Sequence, residues 1–394
     1  MSTIQLSECV ETLESGSRPR GGIKEGQDGI PSLGAEHLTN SGGFDFKKLK
    51  RIPTDYYNSL KRGRIAEGDI LVVKDGATTG KVSFVTADFP FEEAAINEHI
   101  FRLVIDQRKA NPKFVFRYLQ SPQGQMEIMR DFRGATVGGI GRTFLEKVSL
   151  PEFSLPEQAR IAAILDKAES VSFKKKVQIE LIDELLKSEF VERFGTPFNN
   201  VKNLPLSPIK DFGRVVTGNT PPRKNLENYG DEIEWIKSDN INTPSHFLTE
   251  SEERLSKVGK EIGRIAPSGS TLVTCIAGSP KVIGNAALAD REVAFNQQIN
   301  AVIPSNETHP YFLYCQFLVC KNLIQASSTN SMKGMVSKGK FQEIKFLKPD
   351  SAEQFGFGEF ATGLFALSHH LQAVGSQGDR LFGSLRQSAF RGEL

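Results

Sequence analysis

The chain is written twice. GRIAEGDILVV, residues 63–73, returns as GRIAPSGSTLVT, residues 263–274, with one residue inserted. Other pieces recur around it in the same order. IPSLGAEHLT (30–39) faces IEWIKSDNIN (233–242), each reading as a strand followed by a polar bend. AAINEHIFRLVI (94–105) faces VAFNQQINAVIP (293–304), with Asn97 opposite Asn296. NPKFVFRYLQSP faces HPYFLYCQFLVC, each a proline that opens a helix ahead of apolar and aromatic residues at helical spacing. Chance does not place so many pieces in one order, so the chain must fold as two copies of one α/β unit. Its 394 residues are also too many for one ordinary core.

Each copy closes with a longer segment of another kind. Residues 154–195 open with Ser154 and Glu157 in capping-box spacing and Pro156 in the first turn, and end at Gly195. About forty residues at 1.5 Å each make a rod of roughly 60 Å, too long for the buried helix of one small domain. Ile161, Ile164 and Val171, resumed by Ile182 and Leu185, fall on one heptad stripe that is expected to meet a second helix. That second helix starts at DSAEQ, where Asp350 and Glu353 repeat the capping spacing and Glu353-Gln354 repeats Glu157-Gln158. Gly356, Gly358, Gly363, Gly375, Gly378 and Gly383 make it a poor helix on propensity, so packing would have to hold it. The expected divisions are 1–153, 154–195, 196–349 and 350–394.

DGATTGKV, 75–82, invites comparison with a phosphate-binding loop. The spacing G-x-x-x-x-G-K-[ST] would require glycine at Asp75 and a hydroxyl at Val82. The second copy has CIAGSPKVIG, where Pro280, which lacks an N–H, precedes the retained Lys281. A hairpin loop that differs between copies fits both texts; a nucleotide site fits neither.

The remaining features narrow the class. With 39% hydrophobic and 24% charged residues the composition is that of a soluble globular protein, and no apolar run is long enough for a membrane span. The N-terminus lacks the pattern of a signal peptide, so a cytoplasmic location is expected. Cys9, Cys275, Cys315 and Cys320 form no C-x-x-C pair, and the last two lie in an apolar run that favours buried thiols. His37, His99 and His246 show no metal-ligand spacing. A net charge of +2 neither requires nor excludes nucleic acid, because position matters more than the sum.

SLPEQARIAAIL after the apolar strand LEKVSLPEF, a second globular copy and a terminal SAFRGEL resemble the specificity subunits of Type I restriction-modification systems over essentially the whole chain. G-D-I-L…G-K-V and I-N-E-H-I also look like target-recognition domains of that family. The second copy departs from the pattern, with GEFATGLF where the first has IAAILDKA. The resemblance implies two α/β target-recognition domains joined by two long antiparallel helices in a pseudo-twofold arrangement. It further implies that each domain reads one half of a split site in double-stranded DNA, and that the helices set the spacer. Two methyltransferase subunits and the restriction subunits would be the partners, with no membrane, no cofactor and no catalysis by the chain itself.

Base edges are read by Arg, Lys, Asn and Gln on loops, and phosphates need positive charge nearby. The candidate contacts in the first copy are Arg18, Arg20, Lys74, Thr78, Thr79, Lys81, Arg130, Arg133 and Arg142. In the second they are Asn219, Arg223, Lys224, Ser279, Lys281, Lys333, Lys338 and Lys340. Two other readings stay open. A stand-alone DNA methyltransferase would need an Asn-Pro-Pro-aromatic motif, and NTPPR (219–223) has Thr220 interposed and Arg223 in the aromatic's place. A scaffold that binds two protein partners is opposed only by the composition of the loops.

Overall fold

The computed structural model describes residues 2–22, 28–134, 138–329 and 334–393. The chain divides into two units. Unit 1 comprises Met1–Lys174 with Gly375–Leu394, and unit 2 comprises Lys175–Val374. Among the described residues no helix is long and apolar enough to cross a membrane.

The repeated pieces of sequence occupy the same places in both units. Unit 1 has an antiparallel sheet in the order Val10–Ser15, Ile100–Ile105, Ile70–Val73, Val82–Phe84. Unit 2 repeats it with Gly213–Thr217, Ile299–Pro304, Thr271–Thr274 and Ala286–Leu288. A smaller sheet in each carries one parallel pair in matching register. Ser32 and Leu33 lie beside Ala95 and Ile96, as Trp235 and Ile236 lie beside Ala294 and Phe295. The two prolines do open helices, Pro112–Gln120 and Pro310–Val319, capped by the side chains of Asn111 and His309. All four cysteines are buried and free.

Two helices of 40 and 41 residues, Leu155–Phe194 and Ser351–Arg391, run without interruption. The caps are those the sequence spells. Ser154 Oγ accepts from the Glu157 N–H at 3.4 Å and Asp350 Oδ1 from the Glu353 N–H at 2.8 Å, and Gly195 ends the first helix at φ +79°. The glutamine after each capping glutamate is buried and donates to the carbonyl just before the helix, Gln158 to Phe153 and Gln354 to Pro349, both at 2.9 Å. It pins the helix to the strand that leads into it.

Within unit 1, Ile161, Ala162 and Leu165 share a core with Phe114, Tyr118, Ala389 and Phe390. Within unit 2, Leu186, Phe190 and Phe194 share one with Phe312, Phe357, Ala361 and Phe365. In each unit, therefore, an end of one helix lies antiparallel to the opposite end of the other. The expected heptad stripe is corrected here. Ile161 and Ile182 are buried, Ile164 is half-buried, and Val171 and Leu185 are exposed. The first helix packs at i, i+4 spacing against globular cores at its two ends, which is the 3.6-residue period of a core-facing helix and not a continuous 3.5-residue seam.

Candidate nucleic-acid interface

In unit 1 three loops are stitched together at one end of the larger sheet. The hairpin between Val73 and Val82 turns on Gly76 and Gly80, both at positive φ, and Thr79 Oγ1 donates to the Gly76 carbonyl at 2.7 Å. The 138–142 segment lies along it, with the Ile140 N–H donating to the Lys74 carbonyl at 2.7 Å and the Gly76 N–H to Gly138 at 3.1 Å. The turn 97–99 joins from the other side. Asn97 Oδ1 accepts from the His99 N–H at 2.9 Å, and the Lys74 N–H donates to the His99 carbonyl. Side chains continue the link, as His99 meets Asp75, and Glu98 holds Arg18 at 2.6 Å. Close approach demands glycine where the first loop begins: a Cβ on Gly16 would lie 1.9 Å from the Ile96 carbonyl oxygen.

Asp131 ties the segment that begins at Gly138 to Arg133. Its carboxylate accepts from the Gly141 N–H and the Thr143 hydroxyl, each at 2.8 Å, and pairs with Arg133 at 3.1 Å. Burial alone would raise this carboxyl, but those donors outweigh it and hold the group below the ordinary carboxylate range.

Unit 2 repeats the frame with other side chains. Asn296 Oδ1 accepts from the Gln298 N–H at 3.0 Å, and the Gln298 carbonyl takes the N–H groups of Cys275 and Ile276. Ile276–Ala277 pairs with Gly334–Met335, and Thr220 meets Gln297 where Arg18 meets Glu98 in unit 1. A Cβ on Gly218 would lie 2.2 Å from the Asn296 carbonyl oxygen, which repeats the demand at Gly16.

Thr79 is half-buried and bonds within its own hairpin; the other described candidates sort into three groups. Arg20, Thr78, Arg130, Arg142, Lys224, Ser279, Lys281, Lys338 and Lys340 are exposed, and the basic ones among them form no ion pair with a described residue. Arg18, Lys74, Arg133 and Arg223 are held by carboxylates: Glu98, Asp75 at 3.7 Å, Asp131, and Glu253 at 2.9 Å. Arg223 also lies 5.0 Å from the ring centroids of both Tyr229 and Trp235. Lys81 and Asn219 are half-buried and bond to backbone. Lys81 Nζ donates to the Leu38 carbonyl at 3.0 Å, and the hairpin register makes Asn285, not Lys281 as the sequence suggested, its counterpart in unit 2. Asn219 bridges the Ile262 carbonyl and the Arg264 N–H at 3.0 and 2.8 Å. Both are polar groups placed to satisfy nearby backbone, which composition alone does not distinguish from exposed contacts. Lys333 lies outside the described residues.

The sequence matches the family described as "Type I restriction modification DNA specificity domain" over residues 1–182 and 203–367. The chain belongs to this family. Each unit thus contains most of one specificity domain. A similar protein is the HindI specificity subunit, of a Type I restriction enzyme of Haemophilus influenzae, 29% identical over 40% of this chain. Another is the MjaIX specificity subunit of Methanocaldococcus jannaschii, 30% identical over 39% of this chain. These matches span 34% and 36% of the two relatives' lengths. The fold is similar to that of an S subunit of a Type I restriction-modification system from M. genitalium. The TM-score is 0.65 at 14% identity, and 99% of this chain and 96% of that one are covered. A second solved structure, described as bearing on complex assembly and conformational transition of the type I R-M system, matches with a TM-score of 0.54 at 14% identity over 100% and 98% of the chains.

Sequence reasoning did not single out Asp75, Glu98 and His99, which join the loops of the first specificity domain. The available signal was the pair of turns that follow Asn97 and Asn296. The frame keeps the asparagine and changes the next two residues from Glu-His to Gln-Gln.

Proposed function

We propose that this chain is the DNA-recognition subunit of a Type I restriction-modification complex, reading the two halves of a split double-stranded site with its two specificity domains. One observation carries the reading. Both units keep the same strands and the same Asn-centred turn, while the side chains that join the loops around that turn differ: Arg18, Asp75, Glu98 and His99 in unit 1, Thr220, Gln297 and Gln298 in unit 2. Two similar readers with different reading surfaces are what a bipartite, non-palindromic site requires. Exposed Arg130 and Arg142 in unit 1, and Lys224, Lys281, Lys338 and Lys340 in unit 2, supply positive charge for phosphates. Methyl transfer and cleavage belong to partner subunits, two methyltransferases and the restriction subunits, with this chain contributing no catalytic group.

The test is to mix the purified chain with and without its methyltransferase partner and to map methylated adenines on genomic DNA. A bipartite pattern that requires both proteins, with binding that weakens steeply with salt, is the expected result. Methyl transfer by the chain alone sinks the reading, and so does salt-insensitive assembly that leaves DNA unbound.

A further inference from the structure

In unit 1 the helix Pro122–Met129 and the turn after it sort their side chains in an unusual way. Glu127 and Asp131, its two carboxylates, are 5% and 1% exposed, whereas Met126, Met129 and Phe132 are 55%, 39% and 41% exposed. Met126 and Met129 lie one turn apart on the outer face of Pro122–Met129, and Phe132 follows in the turn after it, so the exposed apolar side chains run on from the helix as a ridge. Arg130, Arg133 and Arg142 are exposed around it. The ridge adjoins the stitched loops. Gln125 Nε2 donates to the Gly80 carbonyl at 2.9 Å, and a Cβ on Gly80 would sit 3.3 Å from Met129 Sδ. The Phe132 ring lies so close over Gly138 that a Cβ there would be 2.1 Å from it.

The duplicate shows that the fold does not require this. Gly80 donates to the Val73 carbonyl and packs against Ile128, and Gly284 donates to the Thr274 carbonyl and packs against Ile324. With those pairs matched, Met126, Met129 and Phe132 correspond to Asn322, Gln325 and Ser328, all polar. An apolar ridge with its acids turned inward and arginines at its rim suits a polyanion that also offers apolar surface. The stacked bases of DNA are such a surface once a step is opened, and apolar wedges commonly open one at a cost of a few kcal/mol, offset by added contacts.

We propose that the Met126–Met129–Phe132 ridge is a wedge that enters the base stack in the half-site read by unit 1, with Phe132 as its leading side chain. This rests on the DNA-recognition reading above. The arginines at the rim hold the flanking phosphates, and Asp131 keeps the ridge in register with Gly141 and Thr143. The half-site read by unit 2 is read without such a wedge at these positions, so the two halves of one target differ in deformation as well as in sequence.

The test uses the full chain assembled with its methyltransferase subunits, bound to a duplex carrying the methylated site. 2-Aminopurine, which brightens when unstacked, replaces each purine of the two half-sites in turn. Wild type is expected to brighten several-fold at one step of the unit 1 half. The variant Met126→Asn, Met129→Gln, Phe132→Ser, which installs the residues the duplicate already carries, should abolish that signal and weaken binding about tenfold while recognition of the other half persists. Phe132→Leu, a milder change, should keep part of the signal. Dark probes throughout in a complex that binds and methylates its site, or brightening that the triple variant leaves unchanged, overturn the wedge and leave the recognition reading standing. Loss of methyltransferase assembly with unchanged DNA behaviour also overturns it, by making the ridge a protein contact. Failure of the wild-type complex to bind a bipartite site sinks the recognition reading itself.

Discussion

Gly358 and Gly356 sit two residues apart on the second long helix and act in opposite directions. A Cβ at Gly358 would lie 2.1 Å from Nδ1 of His309, whose ring accepts the Tyr311 N–H at the start of Pro310–Val319. At Gly356 nothing lies within 4 Å. Gly358→Ala is therefore expected to destabilise unit 2 by about 1–3 kcal/mol through overpacking. Gly356→Ala should stabilise by about 0.5–1 kcal/mol, since only helix propensity changes there. Denaturant midpoints of the two variants decide it, and equal shifts would show that the approach to His309 is not what fixes the glycine. The sequence offers both glycines as equal defects, because the reason for one lies in a contact with a residue far away along the chain. Asp131 poses the same difficulty: it reads as one surface acid among many, yet it is buried and ties the loop. Its carboxyl is depressed in the folded chain, so its contribution is present above the ordinary carboxylate range and is lost as pH falls through the folded value. Asp131→Asn should cost about 1–3 kcal/mol at neutral pH. The gap from wild type should shrink on acidification below about pH 4, and thermal melts across that range check the sign.

At the scale of elements, the long helices show which kind of pattern sequence carries well. Capping is local, and Ser154, Asp350 and Gly195 do what their spacing says. So are the prolines that open the two shorter helices, and so is the strand pattern shared by the copies. The packing face is not local. A heptad reading assumes a partner helix along the whole rod, and it selected Val171 and Leu185, which are exposed. The buried positions are set by what each unit brings to the helix. Leu186, Phe190 and Phe194 follow i, i+4 spacing, with Phe190 5.5 Å from Phe312 and 5.3 Å from Phe357 between ring centroids. The prediction is a contrast. Leu165→Ala, fully buried, should cost about 2–5 kcal/mol, while Val171→Ala should stay within about 0.5 kcal/mol. Comparable losses at both sites, measured by urea unfolding followed by circular dichroism, would restore the continuous seam. The candidate interface was legible to a similar degree. Loops rich in glycine and basic residues were found from composition, but Lys81 and Asn219 could be told from true surface residues only once their backbone partners were in place.

For the whole molecule, duplication gives each unit its own sheets and loops while the long helices complete both cores. Phe390, near the end of the second long helix, lies 5.6 Å from Phe114 and 5.1 Å from Tyr118. Arg117, nearly buried, pairs with Asp166 at 2.6 Å and Glu169 at 2.7 Å on the first. A globular segment can be exchanged only if it brings these contacts with it. Replacing residues 1–153 by the same region of a relative that keeps aromatic residues at 114 and 118 and arginine at 117 should give a folded chain. A donor without the arginine loses the cation that joins Asp166 to Glu169 and leaves Asp166 with Lys113 alone, at 3.1 Å, and should cost about 1.5–3 kcal/mol. The arginine-bearing exchange, assembled with the methyltransferase partner, should methylate a site in which one half is new and the other is unchanged. The unit 2 loops, with Thr220, Gln297 and Gln298 at their centre, are untouched by it. Mapping methylated adenines for the parent and the exchanged chain gives the answer directly. A target altered in both halves would mean that the two readers are coupled through the protein, and that residues 1–153 are not the independent half of the recognition surface.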